Sequence, residues 1–212
     1  PDEARTVYGR LVAEFSATPF HPYAALTLAG LHATAPGGAA RAIELFQVAA
    51  AARGVPRINA EAWFQLGDYY YREKQYPKSA EAFGKLSSLF PDDQRTSEAR
   101  LPWAWSLLYA GMAADALKHA DAVLALPVTA GNPVLQEEWL YLKANCQRQI
   151  IDHVGAAVTY SNLLASFPLG HYALSAAYER ALALHRSGSA RAAIAQAQTL
   201  LSATNANRAD VY

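Results

Sequence analysis

The chain has one cysteine, one methionine and no run of like charge. A lone Cys146 excludes an intrachain disulfide and supplies no ligand pair for a structural zinc. It lies inside a helical pattern (Leu142, Lys143, Ala144, Asn145). That setting predicts a small buried thiol rather than a reactive one. No apolar stretch approaches the roughly 20 residues that span a bilayer, and no signal peptide is recognisable. The chain opens at Pro1 inside what reads as the second helix of a repeat, so a processed or excised piece of a longer protein is expected. Charge is sparse, at 17% of residues, and balanced at 18 acidic against 18 basic side chains. Sequence-independent binding of nucleic acid needs clustered positive charge. The densest basic group, Arg72, Lys74, Lys78 and Lys85, is interrupted by Glu73 and Glu81 and reads as a solvated helix face. No nucleic-acid partner is expected.

Catalytic constellations are also missing. The histidines His21, His32, His119, His153, His171 and His185 show no i, i+4 pair of the kind that holds zinc on a helix. Gly37-Gly38 follows a helix rather than a strand, so it is no phosphate loop. There is no Gly-x-Ser-x-Gly elbow. The adjacent carboxylates Asp92-Asp93 and Glu137-Glu138 fall at predicted helix starts, where they offset the helix dipole. The expectation is a chain that is not an enzyme, with no cofactor and no metal site.

What the chain does have is a repeat. Ala4 is followed by Tyr8, Leu11 and Phe15; Ser79 by Phe83, Leu86 and Phe90; Ala156 by Tyr160, Leu163 and Phe167. Weaker copies start at Ala42, Ala116 and Ala193. The six anchors lie 38, 37, 37, 40 and 37 residues apart. Self-similarity at such a period signals a solenoid, in which each unit packs on its neighbours. Each unit reads as two helices, A then B, with start and stop chemistry between them. An orphan B helix spans 1–16, and A/B hairpins span 22–53, 60–91, 97–127, 133–168 and 171–204. That makes eleven helices in a single array over 1–212. Asn59 is the expected N-cap of the second A helix, Pro77 opens its B helix, and Pro127 to Pro133 is the longest loop. No segment alternates with period two, so no sheet is predicted.

The stretch from Ala60 to Pro91 resembles a tetratricopeptide repeat, through Trp63, Leu66, Gly67, Tyr70, Ser79, Phe83 and Pro91 at that family's offsets. The period, together with the endings Phe90-Pro91 and Phe167-Pro168, is similar to the variants found in bacterial envelope proteins. Outer-membrane assembly lipoproteins and the TolA-binding coordinator of cell division are examples. The resemblance implies an all-α, right-handed superhelical solenoid whose A helices line a concave face. It further implies a scaffold that binds a protein or peptide partner there, periplasmic or associated with the outer membrane, with a cytoplasmic location as the alternative.

On the repeat pattern the partner-binding residues are Phe64, Asp68, Tyr71, Arg72, Trp105, Tyr109, Tyr141, Asn145, Arg148 and Tyr178. Aromatic and arginine side chains carry binding energy most often. Asn145 and Arg148 could hold a peptide backbone, and Glu61 and Asp68 could meet a basic partner. The clamp that chaperone-binding members of the family use looks incomplete, because Tyr141 stands where a lysine is needed four residues before Asn145. Three other readings stay open. One is a non-catalytic solenoid part of a larger enzyme. Another is a regulator that senses a small ligand. The third is a homo-oligomer stacked through apolar repeat ends.

Overall fold

A computed structural model describes residues 2–209, and side chains over 2–201. The described residues form twelve helices and no strand. In order they are α1 (Asp2–Glu14), α2 (His21–Ala33), α3 (Ala39–Ala50), α4 (Pro56–Arg72), α5 (Tyr76–Leu89), α6 (Gln94–Tyr109), α7 (Ala113–Leu124), α8 (Pro127–Ala130), α9 (Pro133–Gln149), α10 (His153–Ser166), α11 (Ala173–Arg186) and α12 (Ala190–Ala209). The expected all-α class of repeated hairpins holds. The chain divides into two compact units, with the boundary between Ala110 and Gly111.

In the first unit, α2/α3 and α4/α5 are A/B hairpins, α1 packs on α2, and α6 covers α4 and α5. The core is small and aliphatic around a few rings. Ala25, Leu28, Ala42, Leu45, Phe46 and Leu66 form one cluster, and Ala60, Phe83, Leu86 and Ala99 form the next. In the second unit α7 packs on α9, α9/α10 form a hairpin, α11 covers α10, and α12 pairs with α11. There Ala144, Ala156, Tyr160, Leu163, Ala176 and Ala183 are the core. The anchors Ala42, Ser79, Ala116 and Ala156 are fully buried. A side chain no larger than a hydroxymethyl group lets the B helix lie close to its neighbours.

Each A helix hands over to its B helix through one residue with positive φ: Gly37, Lys74, Gly111, Ile151 and Gly188. At Lys74, Ile151 and Gly188 the following N–H closes a six-residue loop onto the helix, as in Gln75 N to Tyr70 O at 2.8 Å and Asp152 N to Gln147 O at 2.9 Å. This is the Schellman turn, which needs a left-handed residue after the helix.

Several boundaries differ from expectation. The second A helix begins at Pro56, whose missing N–H suits the first turn. Asn59 therefore sits inside α4 and is buried, so it does not cap that helix. Its amide instead donates to the carbonyls of Ala49 and Ala52 (2.8 and 2.9 Å), closing the end of α3. The third A helix starts at Gln94, because Asp93 accepts from Arg95 N and caps it. The tract from Pro127 to Pro133 contains the one-turn helix α8, held by Thr129 Oγ1 donating to Val123 O at 2.7 Å, which makes twelve helices rather than eleven. Asn132 and Asp152 cap α9 and α10 as expected. Glu137 is not a solvated dipole partner. It is buried in α9 and accepts from Tyr172 N at 2.7 Å. Cys146 is fully buried, and burial pushes its thiol pKa up to about 12.

Candidate partner-binding surface

On α4 the spacing of Glu61, Phe64, Asp68, Tyr71 and Arg72 puts these residues on one helical face. All three charges on this face are already paired. Glu61 accepts from Arg95 of α6 and from Gln65 Nε2 at 2.6 Å. Arg95 also reaches Asp93 at 3.1 Å. Burial works against the Arg95 charge, but Glu61 and Asp93 together outweigh it and hold its pKa up. Asp68 pairs with Arg72 at 3.0 Å on the exposed surface. Exposed pairs of this kind contribute about 0–1 kcal/mol, so Asp68 and Arg72 can exchange partners cheaply. Glu61 is the more firmly engaged.

The aromatic residues form a continuous row. Trp105 and Tyr109 of α6 stack with centroids 5.4 Å apart and planes 22° apart. Tyr109 lies 4.7 Å from Tyr76, and Tyr76 meets Tyr71 of α4 edge-on at 5.8 Å. Tyr109 is 52% exposed, while Trp105, Tyr76 and Tyr71 are half-buried. Phe64 is half-buried and turns an edge to Phe83 at 6.1 Å. The repeat pattern did not single out Tyr76. It opens a B helix, whereas the repeat pattern draws the binding face from A helices alone. The signal available was its place just after the A-to-B turn, where a B-helix side chain can reach back to the A helices.

The second unit is arranged differently. Tyr141 of α9 stacks on Tyr172 with centroids 4.4 Å apart and planes 15° apart. Tyr172 in turn donates from its hydroxyl to Glu138 at 3.4 Å and meets His171 edge-on. Burial, reinforced by Glu138, raises the Tyr172 phenol to about 12. Burial also raises the Glu138 carboxyl above its ordinary value, against the opposing pull of the Tyr172 hydroxyl and His171. Tyr172 was not anticipated, because it lies in the turn that precedes α11.

Asn145 and Arg148 serve the fold. Asn145 is buried, donates to Tyr141 O at 2.8 Å and accepts from Arg148 Nη2 at 3.2 Å. Arg148 forms an ion pair with Glu179 of α11 at 3.2 Å, offset from hydrogen-bond alignment. The Tyr160 hydroxyl lies buried beside this pair. Burial first, and Glu179 second, raise its pKa. Tyr178 is 57% exposed and lines a groove between α11 and α12. Of the ten residues read from the repeat pattern, the structure joins Tyr71, Trp105 and Tyr109 in one row and places Phe64 on the same α4 face as Tyr71. It groups Tyr141, Asn145 and Arg148 in another cluster. No cluster of metal-ligating side chains occurs among the described residues, and none of the described helices is long and apolar enough to cross a membrane.

No family model matches the chain, and a search of curated proteins finds no match. Solved structures do match. The chain is similar to MamA 41-end from Desulfovibrio magneticus RS-1, with a TM-score of 0.61 and 13% identity over 97% of this chain and 95% of that one. It is similar to a Rap protein solved in complex with competence and sporulation factor, with a TM-score of 0.55 and 15% identity over 92% of this chain and 58% of that one. A third likeness is to aspartyl phosphate phosphatase F from Bacillus subtilis, with a TM-score of 0.56 and 14% identity over 89% and 51%. The chain thus spans little more than half the length of the latter two. At these identities the likeness is one of fold, and that fold is a tetratricopeptide-like array of helical hairpins.

Proposed function

We propose that the chain is a protein-interaction scaffold that binds a segment of a partner protein across the aromatic faces of its A helices. The observation that carries this reading is the row Trp105, Tyr109, Tyr76 and Tyr71. Stacked rings hold one another in place, so a partner can bury aromatic area against them for little loss of torsional freedom. The exposed Asp68–Arg72 pair on α4 supplies polar contacts that can be exchanged. The second unit by itself carries a separate candidate area at Tyr141 and Tyr178, where Asn145 and Arg148 would keep their neighbours in position. The Rap likeness supports the reading, since that protein was solved with a bound factor. A place in a bacterial envelope assembly is a finer reading that rests on the repeat period and the Phe-Pro endings alone.

Peptides selected on the wild-type chain from a random library provide the test. Affinity for the double variant Trp105→Ala/Tyr109→Ala should fall at least about tenfold, as for central aromatic contacts in other interfaces. Unchanged affinity with an intact helical spectrum would refute the reading.

A further inference from the structure

The repeat places the same site in the chain twice, once with a cation and once without. With Ser79 set on Ala156, residues Ala60, Glu61, Phe64 and Arg95 fall on Glu137, Glu138, Tyr141 and Tyr172. In the first unit the site lies where α4 meets the start of α6. There Arg95 donates to the Glu61 carboxylate. Those two side chains, with Phe64, Gln94 and Glu98, line a small pocket of about 190 Å³.

The second unit keeps the carboxylate and lacks the guanidinium. Glu138 of α9 stands where Glu61 stands, and Tyr172 stands in place of Arg95. The Tyr172 hydroxyl reaches Glu138 at 3.4 Å, longer than an ordinary O–H···O bond. The titratable groups that face Glu138 are Tyr172, His171 and Glu137, with no lysine or arginine among them. The basic residues nearest in sequence, Lys143 and Arg148, pair with Asp121 and Glu179. Glu137 is committed to the backbone. It accepts from Tyr172 N at 2.7 Å and lies so close to Gly170 that a Cβ there would not fit. It thereby fixes the turn that presents Tyr172.

Glu138 is therefore a half-buried carboxylate with one long hydrogen bond and no cation. Withdrawing such a group from water costs free energy that an opposite charge would recover. Burial also raises its pKa, as expected of that cost. Beside it, Tyr141 and Tyr172 stack at 4.4 Å, and both rings are half-buried, so part of the stack meets solvent. An arginine side chain matches both features. Its planar guanidinium forks onto a carboxylate and lies well against aromatic rings, which a compact, strongly hydrated ammonium does less well.

We propose that Glu138, Tyr141 and Tyr172 form a subsite for an arginine side chain of a partner protein. The partner supplies at Glu138 the guanidinium that Arg95 supplies at Glu61 from within the chain. The source of the arginine rests on the scaffold reading above. The subsite itself lies wholly in the second unit and uses no residue of the row Trp105, Tyr109, Tyr76 and Tyr71.

Acetyl-arginine methylamide is the probe, because it carries a guanidinium and no terminal charge. Titrated into the isotope-labelled whole chain, it should shift the amide resonances of Glu138 and Tyr172 along a saturable curve. Acetyl-lysine methylamide should bind several-fold more weakly. Glu138→Gln removes the charge and keeps the shape, and should weaken arginine binding about tenfold. Tyr172→Arg should weaken it as much, by restoring within the chain the pair seen at Glu61. Trp105→Ala/Tyr109→Ala should leave it unchanged, so failure of the aromatic row and failure of this subsite are separate results. Random-library peptides selected on the wild-type chain should contain more arginine than those selected on Glu138→Gln. The proposal is overturned by absence of saturable shifts, by equal binding to a natively folded Glu138→Gln chain, or by lysine binding as tightly as arginine. Equal arginine content in the two selections would overturn it too, since the cation would then not come from a polypeptide.

Discussion

Two glycines in A helices should respond to the same substitution with opposite sign. Gly30 lies in α2 with no heavy atom within 4 Å of where a Cβ would stand. Replacing it by alanine adds helix propensity and should stabilise by up to about 1 kcal/mol. Gly67 gains the same propensity, but its Cβ would stand 2.7 Å from Cδ1 and Cε1 of Phe83 and 2.9 Å from Cζ. The ring has little room to yield. Phe83 is fully buried, with Ala60, Leu86 and Ala99 around it and Phe64 against it. Nor can α5 back away freely, because Ser79 Oγ donates to Gly67 O at 2.8 Å and is also bonded to Ser106. Overpacking of this kind costs about 1–3 kcal/mol. Gly67→Ala should therefore unfold at lower urea concentration than wild type, and Gly30→Ala at the same or higher. The difference between the two variants should be about 1–3 kcal/mol, the whole of the steric term. In a Phe83→Leu background, which removes the ring, the Gly67→Ala penalty should shrink. Equal stabilisation by both substitutions, or a penalty indifferent to Phe83→Leu, would refute the argument. Gly67→Leu should be worse than Gly67→Ala in every background.

Two further outcomes follow from the second unit. Ile151 is 76% exposed and holds φ at 68°, a left-handed conformation that costs a residue with a Cβ about 1–2 kcal/mol. Ile151→Gly should therefore stabilise by about 0.5–1 kcal/mol after the greater freedom of glycine in the unfolded chain is counted, and a lower midpoint in urea would contradict this. Glu138 has its pKa raised by burial, so the folded chain holds that proton more tightly than the unfolded chain does. Its contribution to stability is lost as pH rises from the ordinary carboxylate range through the raised value. Glu138→Gln should then raise the melting temperature at neutral pH and change little at pH 3; a gain of the same size at both would show that charge is not the cause.

The sequence revealed the repeat because its signal is local and redundant. Small anchors, rings at fixed offsets and proline or glycine breaks recur in each unit, and Asn132, Asp152 and Pro77 act where the pattern put them. Helix starts were less legible. Asn59 has the chemistry of a cap, but Pro56 three residues earlier can also begin a helix, and Asn59 then caps a different one. The aromatic row was legible in part. Tyr71 follows from the face of α4, and Trp105 and Tyr109 from that of α6. Tyr76 and Tyr172 join through contacts between elements, which one helix's periodicity does not encode. For the same reason the engagement of Glu61 and Arg148 is not visible one helix at a time: their partners Arg95 and Glu179 come from the next A helix.

The left-handed residue between A and B has a consequence for how such an array can change. Within each unit, direction reverses at one backbone angle per hairpin, at Gly37, Lys74, Ile151 and Gly188. The three additional residues of the longest repeat fall instead in the tract around α8, on the route from one hairpin to the next. Each hairpin therefore behaves as an interchangeable cassette with a fixed fold-back and an adjustable strap. Inserted residues should be absorbed in the straps, and the same number inserted at a fold-back should unfold the cassette that carries it.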